Sequence, residues 1–176
     1  MNVVCFGDSN TYGFDPRSYL GGRYHASWVD IVRDKLNWNV LNAGSNGREI
    51  PTKQETIPLN TDLLIVMLGT NDLLSGRSAD ETAIRMENFL RSLDIPRSNI
   101  LLISPPHMCY GQWVHTQSMI EESVHLSHDY QTLAKRLHVR FLDAGMWNIE
   151  LAFDGVHFTE TGHGTFAARL IEELIA

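Results

Sequence analysis

The chain has few cysteines, no run of basic residues and no long apolar stretch, and each shortage argues against a class of protein. Its two cysteines, Cys5 and Cys109, are too few for a disulfide framework or a paired-cysteine zinc site. A formal net charge of −7 argues against nucleic acid as the main partner. No apolar stretch reaches the roughly 18 residues that span a membrane, and the N-terminal residues lack a signal-peptide pattern. We therefore expect a cytoplasmic protein that binds neither nucleic acid nor membrane.

The remaining composition is that of an ordinary globular protein. Of the 176 residues, 43% are apolar and 20% are charged. A chain of this length can bury a full hydrophobic core, and it contains no repeats, linkers or low-complexity segments. We therefore expect one domain over residues 1–176, and a homo-oligomer is compatible with the sequence.

Short apolar runs alternate with segments of helical periodicity along the chain. The predicted strands cover residues 2–6, 38–42, 63–68, 100–103 and 139–143. The predicted helices begin after a Ser27 cap, at residue 79, near Gln117 and near Thr161. Two loops complete the pattern, at residues 14–24 and at residues 49–60, where a short helix is expected. Because the runs are apolar throughout, both faces of the strands should be covered, which predicts one parallel sheet between helical layers.

Parallel strands bring the residues that follow them to one edge of the sheet. Ser9, Gly44 and Asn71 each follow a predicted strand, and the last strand is followed by a loop that contains Asp154 and His157. Ligands bind at this edge in open α/β sheets. An aspartate three residues before a histidine, with a glycine between them, can hold imidazole Nδ1 and leave Nε2 to activate a serine hydroxyl.

Acyl transfer also requires hydrogen-bond donors for the negative charge that develops on the attacked carbonyl oxygen. The backbone N–H groups of Ser9 and Gly44 and the side-chain amide of Asn71 are suitable donors. The sequence therefore contains a nucleophile, a base, an orienting carboxylate and donors, all predicted to lie at one sheet edge.

Four short blocks carry a resemblance to a known family: residues 7–10 (GDSN), 42–44 (NAG), 69–72 (GTND) and 154–157 (DGVH). In this order they resemble the blocks of the SGNH hydrolases, also called the GDSL esterase/lipase superfamily. The resemblance implies a flavodoxin-like three-layer α/β/α sandwich with a five-stranded parallel sheet. It further implies Ser9 as nucleophile, His157 as base and acid, and Asp154 as its orienting partner. Ser9, Gly44 and Asn71 would form the oxyanion hole, with no metal and no cofactor.

Further motifs are similar to the arylesterase and acyltransferase branch of the superfamily, which implies a small-molecule ester with a small acyl group as substrate. Loop residues near the predicted crevice are candidates for the substrate pocket: Tyr12, Tyr24, Met108, Tyr110 and Trp113. An equally good interpretation is that they cover the sheet edge as part of the core. Asn10 departs from the name-giving motif, which has leucine there, and we expect it to affect packing or pocket polarity.

Several alternatives remain open at this stage. Ser45 lies in a motif one substitution away from the nucleophile elbow of α/β-hydrolases. His125 and His128 are spaced to share a metal ion, but solvated or capping roles fit them better. Asp72 is expected to do little more than cap a helix. In function, a carbohydrate O-deacetylase and a non-catalytic flavodoxin-like binding protein compete with the esterase hypothesis.

Overall fold

The computed structural model describes residues 1–18 and 20–176, and within them five β-strands form one sheet. The strands are β1 (Asn2–Gly7), β2 (Asn39–Gly44), β3 (Leu63–Met67), β4 (Ile100–Ser104) and β5 (Arg140–Asp143). All neighbouring strands are parallel, and their order is β2-β1-β3-β4-β5. Because this is the strand order of flavodoxin-like sheets, the predicted fold class is confirmed.

Helices cover both faces of the sheet. They are α1 (Ser9–Tyr12), α2 (Trp28–Leu36), α3 (Thr70–Leu74), α4 (Ala79–Ser92), α5 (Gln117–Leu137) and α6 (Glu160–Ile175). Helices α2 and α6 pack against each other on one face, and α4 and α5 pack on the other. Of the helices in the described residues, none combines the length and apolarity needed to cross a bilayer.

Side-chain alternation along the strands divides the core into two halves. On β1, Val4 and Phe6 point into the half covered by α4 and α5, whereas Val3 and Cys5 point into the half covered by α2 and α6. Strands β3 and β4 are buried along their whole length. Two covered faces explain why these strands read as uninterrupted apolar runs. Cys5 is accordingly a small core residue, as its apolar neighbours indicate.

Side-chain caps begin the long helices at or near the predicted positions. The Ser27 hydroxyl accepts a hydrogen bond from the Asp30 N–H, and the Asp30 carboxylate accepts one from the Ser27 N–H. This reciprocal pair satisfies two backbone donors at the helix start. Thr159 caps α6 through the Gly162 N–H, so this helix begins one residue before the predicted Thr161.

The structure moves several predicted strand ends by one or two residues and lacks one expected helix. Strand β2 continues to Gly44 rather than ending at Asn42, because its pairing with β1 runs on to Gly7. Strand β3 ends at Met67, one residue early. Residues 49–60 form no helix, and two of them are prolines, which lack the N–H that a helix needs. Residue 19 of the predicted 14–24 loop lies outside the described residues.

Candidate active site

Ser9 is the first residue of α1, directly beyond the carboxyl end of β1. Asp8 caps this helix, because its carboxylate accepts a hydrogen bond of 2.9 Å from the Asn10 N–H. The Ser9 N–H belongs to the first turn, where backbone donors have no acceptor within the helix. The serine thus offers both a side-chain hydroxyl and a backbone donor at the sheet edge.

The structure brings the three residues proposed for nucleophilic chemistry together in one line. Ser9 Oγ lies 2.9 Å from His157 Nε2, and His157 Nδ1 lies 2.7 Å from Asp154 Oδ2. All three side chains are buried. An imidazole held at Nδ1 by a carboxylate presents an unprotonated Nε2, which can accept the proton of the serine hydroxyl.

The loop of residues 152–158 holds Asp154 in its charged form. Burial raises the pKa of the Asp154 carboxyl, but the hydrogen bonds from the His157 ring and from the backbone N–H groups of His157 and Val156 lower it more, so the pKa lies below its usual value. Both backbone donors contact Oδ1 at 2.9 Å, which leaves Oδ2 for the imidazole. One carboxylate oxygen therefore binds the loop backbone, and the other binds the imidazole.

A second stretch of chain, the 109–114 segment, supports the 152–158 loop by backbone contacts. The N–H groups of residues 109, 112 and 113 donate to the carbonyl oxygens of residues 155, 153 and 154, at 3.0 to 3.1 Å. A Cβ at Gly155, whose φ is +83°, would lie 2.1 Å from the Cys109 carbonyl oxygen, and one at Gly111 would lie 2.3 Å from the Asp154 carbonyl carbon. Only glycine permits so close an approach at both positions.

The other two predicted oxyanion donors already have partners within the chain. The Gly44 N–H donates to Asn42 Oδ1 at 2.9 Å, and Asn71 Nδ2 donates to the Arg48 carbonyl at 3.1 Å. Asn71 keeps a second amide hydrogen, whereas Gly44 must share its single one. A Cβ at Gly44 would lie 2.1 Å from the Tyr12 nitrogen, so the close packing of α1 on β2 requires this glycine independently.

Aromatic rings flank the histidine on two sides. The Phe14 ring centroid lies 4.7 Å from that of His157, and the Trp113 ring meets it edge-on at 4.9 Å. Trp113 was among the predicted pocket residues, whereas Phe14 was missed. Its position in a loop rich in Gly and Pro carries no periodic signal, so only its place shortly after the 7–10 block could have indicated it.

The other predicted pocket residues differ in their surroundings. Met108 and Tyr24 are buried, and Met108 packs in the core half under α4 and α5. For these two residues the alternative of a core role is the one observed. Tyr110 is 62% exposed, and its hydroxyl donates to Gln117. The half-buried Tyr12 ends α1, where its ring lies beside the Arg23 guanidinium.

Asp72 is not the cap predicted from sequence. It lies inside α3 with its carboxylate fully buried, 2.8 Å from Arg85 Nε, and it accepts a hydrogen bond of 2.9 Å from the Ile50 N–H. Burial is the largest effect on its pKa, which lies above the usual value despite these contacts. Asp72, which follows Asn71 in α3, therefore links α3 to Arg85 of α4 and to the backbone of Ile50.

The alternative candidates lie apart from this arrangement. Ser45 is exposed after β2, and His157 contacts Ser9 instead. His125 and His128 line a cavity beside α4. Across residues 1–18 and 20–176, no three His, Cys, Asp or Glu side chains are grouped closely enough to hold a metal ion.

The carboxyl of Asp8, the residue before Ser9, is buried, and burial raises its pKa from the usual 3.8 to about 6. The hydrogen bond from the Asn10 N–H and the nearby His157 lower the pKa, but by less than burial raises it. Between these pH values the folded chain binds more protons at Asp8 than the unfolded chain does. The contribution of Asp8 to stability is therefore complete below pH 3.8 and is lost as the pH rises through about 6.

We expect the Asp8→Asn variant to lose this dependence, because asparagine remains neutral and can still accept the Asn10 hydrogen bond. The difference in free energy of unfolding between the variant and the wild type should grow, in favour of the variant, by about 2–3 kcal/mol between pH 4 and pH 7. Urea unfolding at several pH values measures it. The exposed Asp34→Asn is the matched control, and a difference for Asp8→Asn that stays constant with pH would contradict the expectation.

The chain is similar to known proteins in both sequence and fold. The model of the GDSL-like lipase/acylhydrolase family matches residues 5–164. The chain belongs to this family. The match covers all four of the sequence blocks, so the predicted superfamily is confirmed.

Two curated relatives of this GDSL-family protein match over part of their length. An uncharacterized lipoprotein, YqeF, of Bacillus subtilis is 37% identical over 82 residues, which cover 40% of this chain and 32% of the relative. The isoamyl acetate-hydrolyzing esterase 1 homolog of Bos taurus is 27% identical over 130 residues, covering 63% of this chain and 50% of the relative. The matches thus span about a third of the length of one relative and half of the length of the other.

Solved structures of similar proteins match the GDSL-family chain over nearly its whole length. The aryl esterase of M. smegmatis is 25% identical, with a TM-score of 0.83 and coverage of 98% of this chain and 97% of that one. A putative arylesterase of Agrobacterium tumefaciens is also 25% identical, with a TM-score of 0.80 and the same coverage. Est24, a carbohydrate acetylesterase of Sinorhizobium meliloti, shares the fold at 21% identity and a TM-score of 0.82, covering 99% and 98%.

Proposed function

We propose that this GDSL-family chain is a serine hydrolase that cleaves carboxylic esters of small acyl groups through an acyl-enzyme. The observation that carries the proposal is the contact of 2.9 Å between Ser9 Oγ and His157 Nε2, with Asp154 Oδ2 2.7 Å from Nδ1. Nucleophile, base and orienting group thus each lie within hydrogen-bonding distance of the next, which is the geometry that activates a serine hydroxyl.

In the first half-reaction, Ser9 Oγ attacks the ester carbonyl carbon while His157 Nε2 takes the hydroxyl proton. The imidazolium that forms is stabilised by the Asp154 carboxylate, which stays ionised because its pKa is lowered. The tetrahedral intermediate then collapses, and His157 returns the proton to the departing alkoxide. The products of this half are a free alcohol and an acyl group on Ser9.

The carbonyl oxygen becomes negatively charged in that intermediate and needs donors. The backbone N–H of Ser9 and the second amide hydrogen of Asn71 take part in none of the intrachain hydrogen bonds described above. The Gly44 N–H can divide its single hydrogen between Asn42 Oδ1 and the ester carbonyl oxygen. Loss of one such donor typically costs about 3–4 kcal/mol of transition-state stabilisation. We assign Ser9 and Asn71 the larger part of this role.

In the second half-reaction, His157 takes a proton from water as the water oxygen attacks the acyl carbon. The bond from that carbon to Ser9 Oγ then breaks, His157 returns the proton to Ser9 Oγ, and the acid leaves. An alcohol in place of water gives acyl transfer by the same steps, because only the nucleophile changes. The names of relatives support an ester substrate, since they include aryl esterases and a homolog of an isoamyl acetate-hydrolyzing esterase. The Phe14 and Trp113 rings beside His157 offer apolar surface to such a substrate.

We expect a fluorophosphonate probe to label Ser9, because the probe reacts with a serine hydroxyl that a neighbouring base activates. Labelling is located by peptide mass spectrometry, and the labelled protein should have lost hydrolysis of p-nitrophenyl acetate. Among p-nitrophenyl esters, acetate and butyrate should be cleaved faster than octanoate. Labelling at Ser45 instead, or turnover that survives full labelling, would contradict the proposal.

The same measurements separate the competing functions. Release of acetate from an acetylated sugar at a rate above that from the simple esters would favour a carbohydrate O-deacetylase. Saturable binding of an ester without turnover and without labelling would favour a binding protein.

A further inference from the structure

Asn10, next to the nucleophile in sequence, makes two hydrogen bonds to the backbone on either side of His157. Its Nδ2 donates to the Val156 carbonyl at 3.1 Å, and its Oδ1 accepts from the Phe158 N–H at 2.9 Å. The side chain is only 3% exposed. The residue that directly follows Ser9 thus holds the chain both before and after the base.

The orientation of this amide is determined by its partners. A carbonyl oxygen can only accept and a backbone N–H can only donate, so the two contacts assign Nδ2 and Oδ1 without ambiguity. Exchanging the two atoms would break both bonds at once. The amide therefore fits the 152–158 loop in one orientation.

The backbone of Asn10 is itself anchored on both sides. Its N–H donates to Asp8 Oδ1, and its carbonyl accepts a hydrogen bond of 3.0 Å from the Trp28 indole N–H. Trp28 is fully buried in the core half under α2 and α6. The Asn10 backbone is therefore fixed to the core, so its side chain holds the loop from a rigid position.

We propose that Asn10 is a positioning residue, which holds His157 at hydrogen-bonding distance from Ser9 by clamping residues 156 and 158. This role rests on the proposed function. The 109–114 segment attaches to residues 153–155, and within the loop the Ala152 N–H donates to the His157 carbonyl at 2.7 Å. Asn10 supplies the hydrogen bonds that attach residues 156 and 158 to another segment. Leucine, which the name-giving motif has at this position, has a similar size but no group that could make either bond.

The clamp matters because proton transfer depends steeply on geometry. A displacement of about 1 Å at a reacting group can lower a rate by about 100-fold. Without the amide, the Val156 carbonyl and the Phe158 N–H would be buried without partners, and the loop would shift to reach water. Such a shift would move the buried imidazole away from Ser9 Oγ, while leaving the pocket side chains of the 109–114 segment in place.

The test uses Asn10→Leu and Asn10→Ala. For p-nitrophenyl acetate we expect kcat to fall about 10- to 100-fold in both variants, with KM within about threefold of the wild type, because the base moves and the pocket does not. Fluorophosphonate labelling of Ser9 should slow in parallel. The proton NMR signal of the His157 Nδ1–H, identified by its absence from His157→Ala, should shift and broaden.

The control is Thr82→Val, which removes a buried hydrogen bond from the Thr82 hydroxyl to the Ser78 carbonyl and leaves every hydrogen bond of Asn10 and His157 described above in place. It should lower the melting temperature and leave kcat, labelling and the NMR signal unchanged. Asn10→Ala leaves room for water beside the loop, so it keeps the test available if the leucine does not fit. A kcat within about twofold of Thr82→Val in a folded Asn10 variant, with an unaltered NMR signal, would overturn the proposal.

The outcome also separates this inference from the proposed function. If the wild type neither turns over esters nor reacts with the probe, the proposed function fails. The NMR signal still reports whether Asn10 holds His157. If the wild type is active and the Asn10 variants are equally active, only the positioning role fails.

Discussion

Replacing Ser9 with alanine is expected to lower kcat for p-nitrophenyl acetate by about four to six orders of magnitude. In the proposed mechanism the hydroxyl oxygen forms the acyl-enzyme, and no other side chain contacts His157 Nε2 in the described hydrogen-bond pattern. The proposed oxyanion donors and the proposed substrate surface remain, so a residual acceleration of about 10³-fold over water should persist. The rate of p-nitrophenol release by purified variant and wild type gives the comparison.

The matched control is Ser45→Ala, which removes an exposed serine near the end of β2 and should retain the wild-type rate. Ser9→Ala should also remain folded, because the lost hydroxyl is bonded to His157 alone and alanine fits the first turn of α1 well. A thermal melt within a few degrees of the wild type establishes this. Equal losses in the two variants, or full activity in Ser9→Ala, would exclude Ser9 as the nucleophile.

Asp154→Asn is expected to lower kcat by about 10⁴-fold while leaving the fold intact. The side-chain oxygen of the new asparagine would keep the two backbone hydrogen bonds from Val156 and His157, so its NH₂ group would face His157 Nδ1. An amide donor there requires Nδ1 to accept, which places the imidazole proton on Nε2. In this tautomer the ring can no longer take the proton of Ser9.

Asp143→Asn is the appropriate comparison for Asp154→Asn. Asp143 Oδ1 likewise accepts a backbone hydrogen bond two residues on, from Gly145, and contacts the hydroxyls of Ser104 and Ser127. Because it touches neither Ser9 nor His157, its replacement should change kcat by less than about threefold. A loss smaller than about tenfold in Asp154→Asn would show that the carboxylate does not set the tautomer.

The fold and the candidate site differ in how far they follow from sequence. Strands β3 and β4 are uniformly apolar because both of their faces are buried, so their pattern predicts a parallel sheet directly. The parallel sheet in turn predicts that Ser9 and Asn71 lie at one edge. Strand ends differ from the prediction, as at Gly44, where cross-strand pairing rather than local composition sets the boundary, and the helix expected within residues 49–60 is absent.

What sequence reasoning missed depends on contacts between distant segments. Asn10 reaches Val156 and Phe158 across 146 and 148 positions, and nothing in the residues around it announces these partners. Asp72 looks like a helix cap because aspartate favours that role, yet its partners Ile50 and Arg85 come from two other segments. Phe14 contacts His157 in the same way. Such roles exist only once the chain is folded.

The contact between the 109–114 segment and the 152–158 loop runs through backbone atoms and two glycines. The side chains of Tyr110, Gln112 and Trp113 take no part in those bonds, so substitution at these positions leaves the attachment of Asp154 intact. Substitution at the proposed pocket residue Tyr110 therefore leaves the backbone support of Asp154 in place, whereas the Trp113 ring also contacts His157. Positions 110 and 112 are therefore the natural place to diversify in a directed-evolution library, with Gly111, Trp113 and Gly155 held constant.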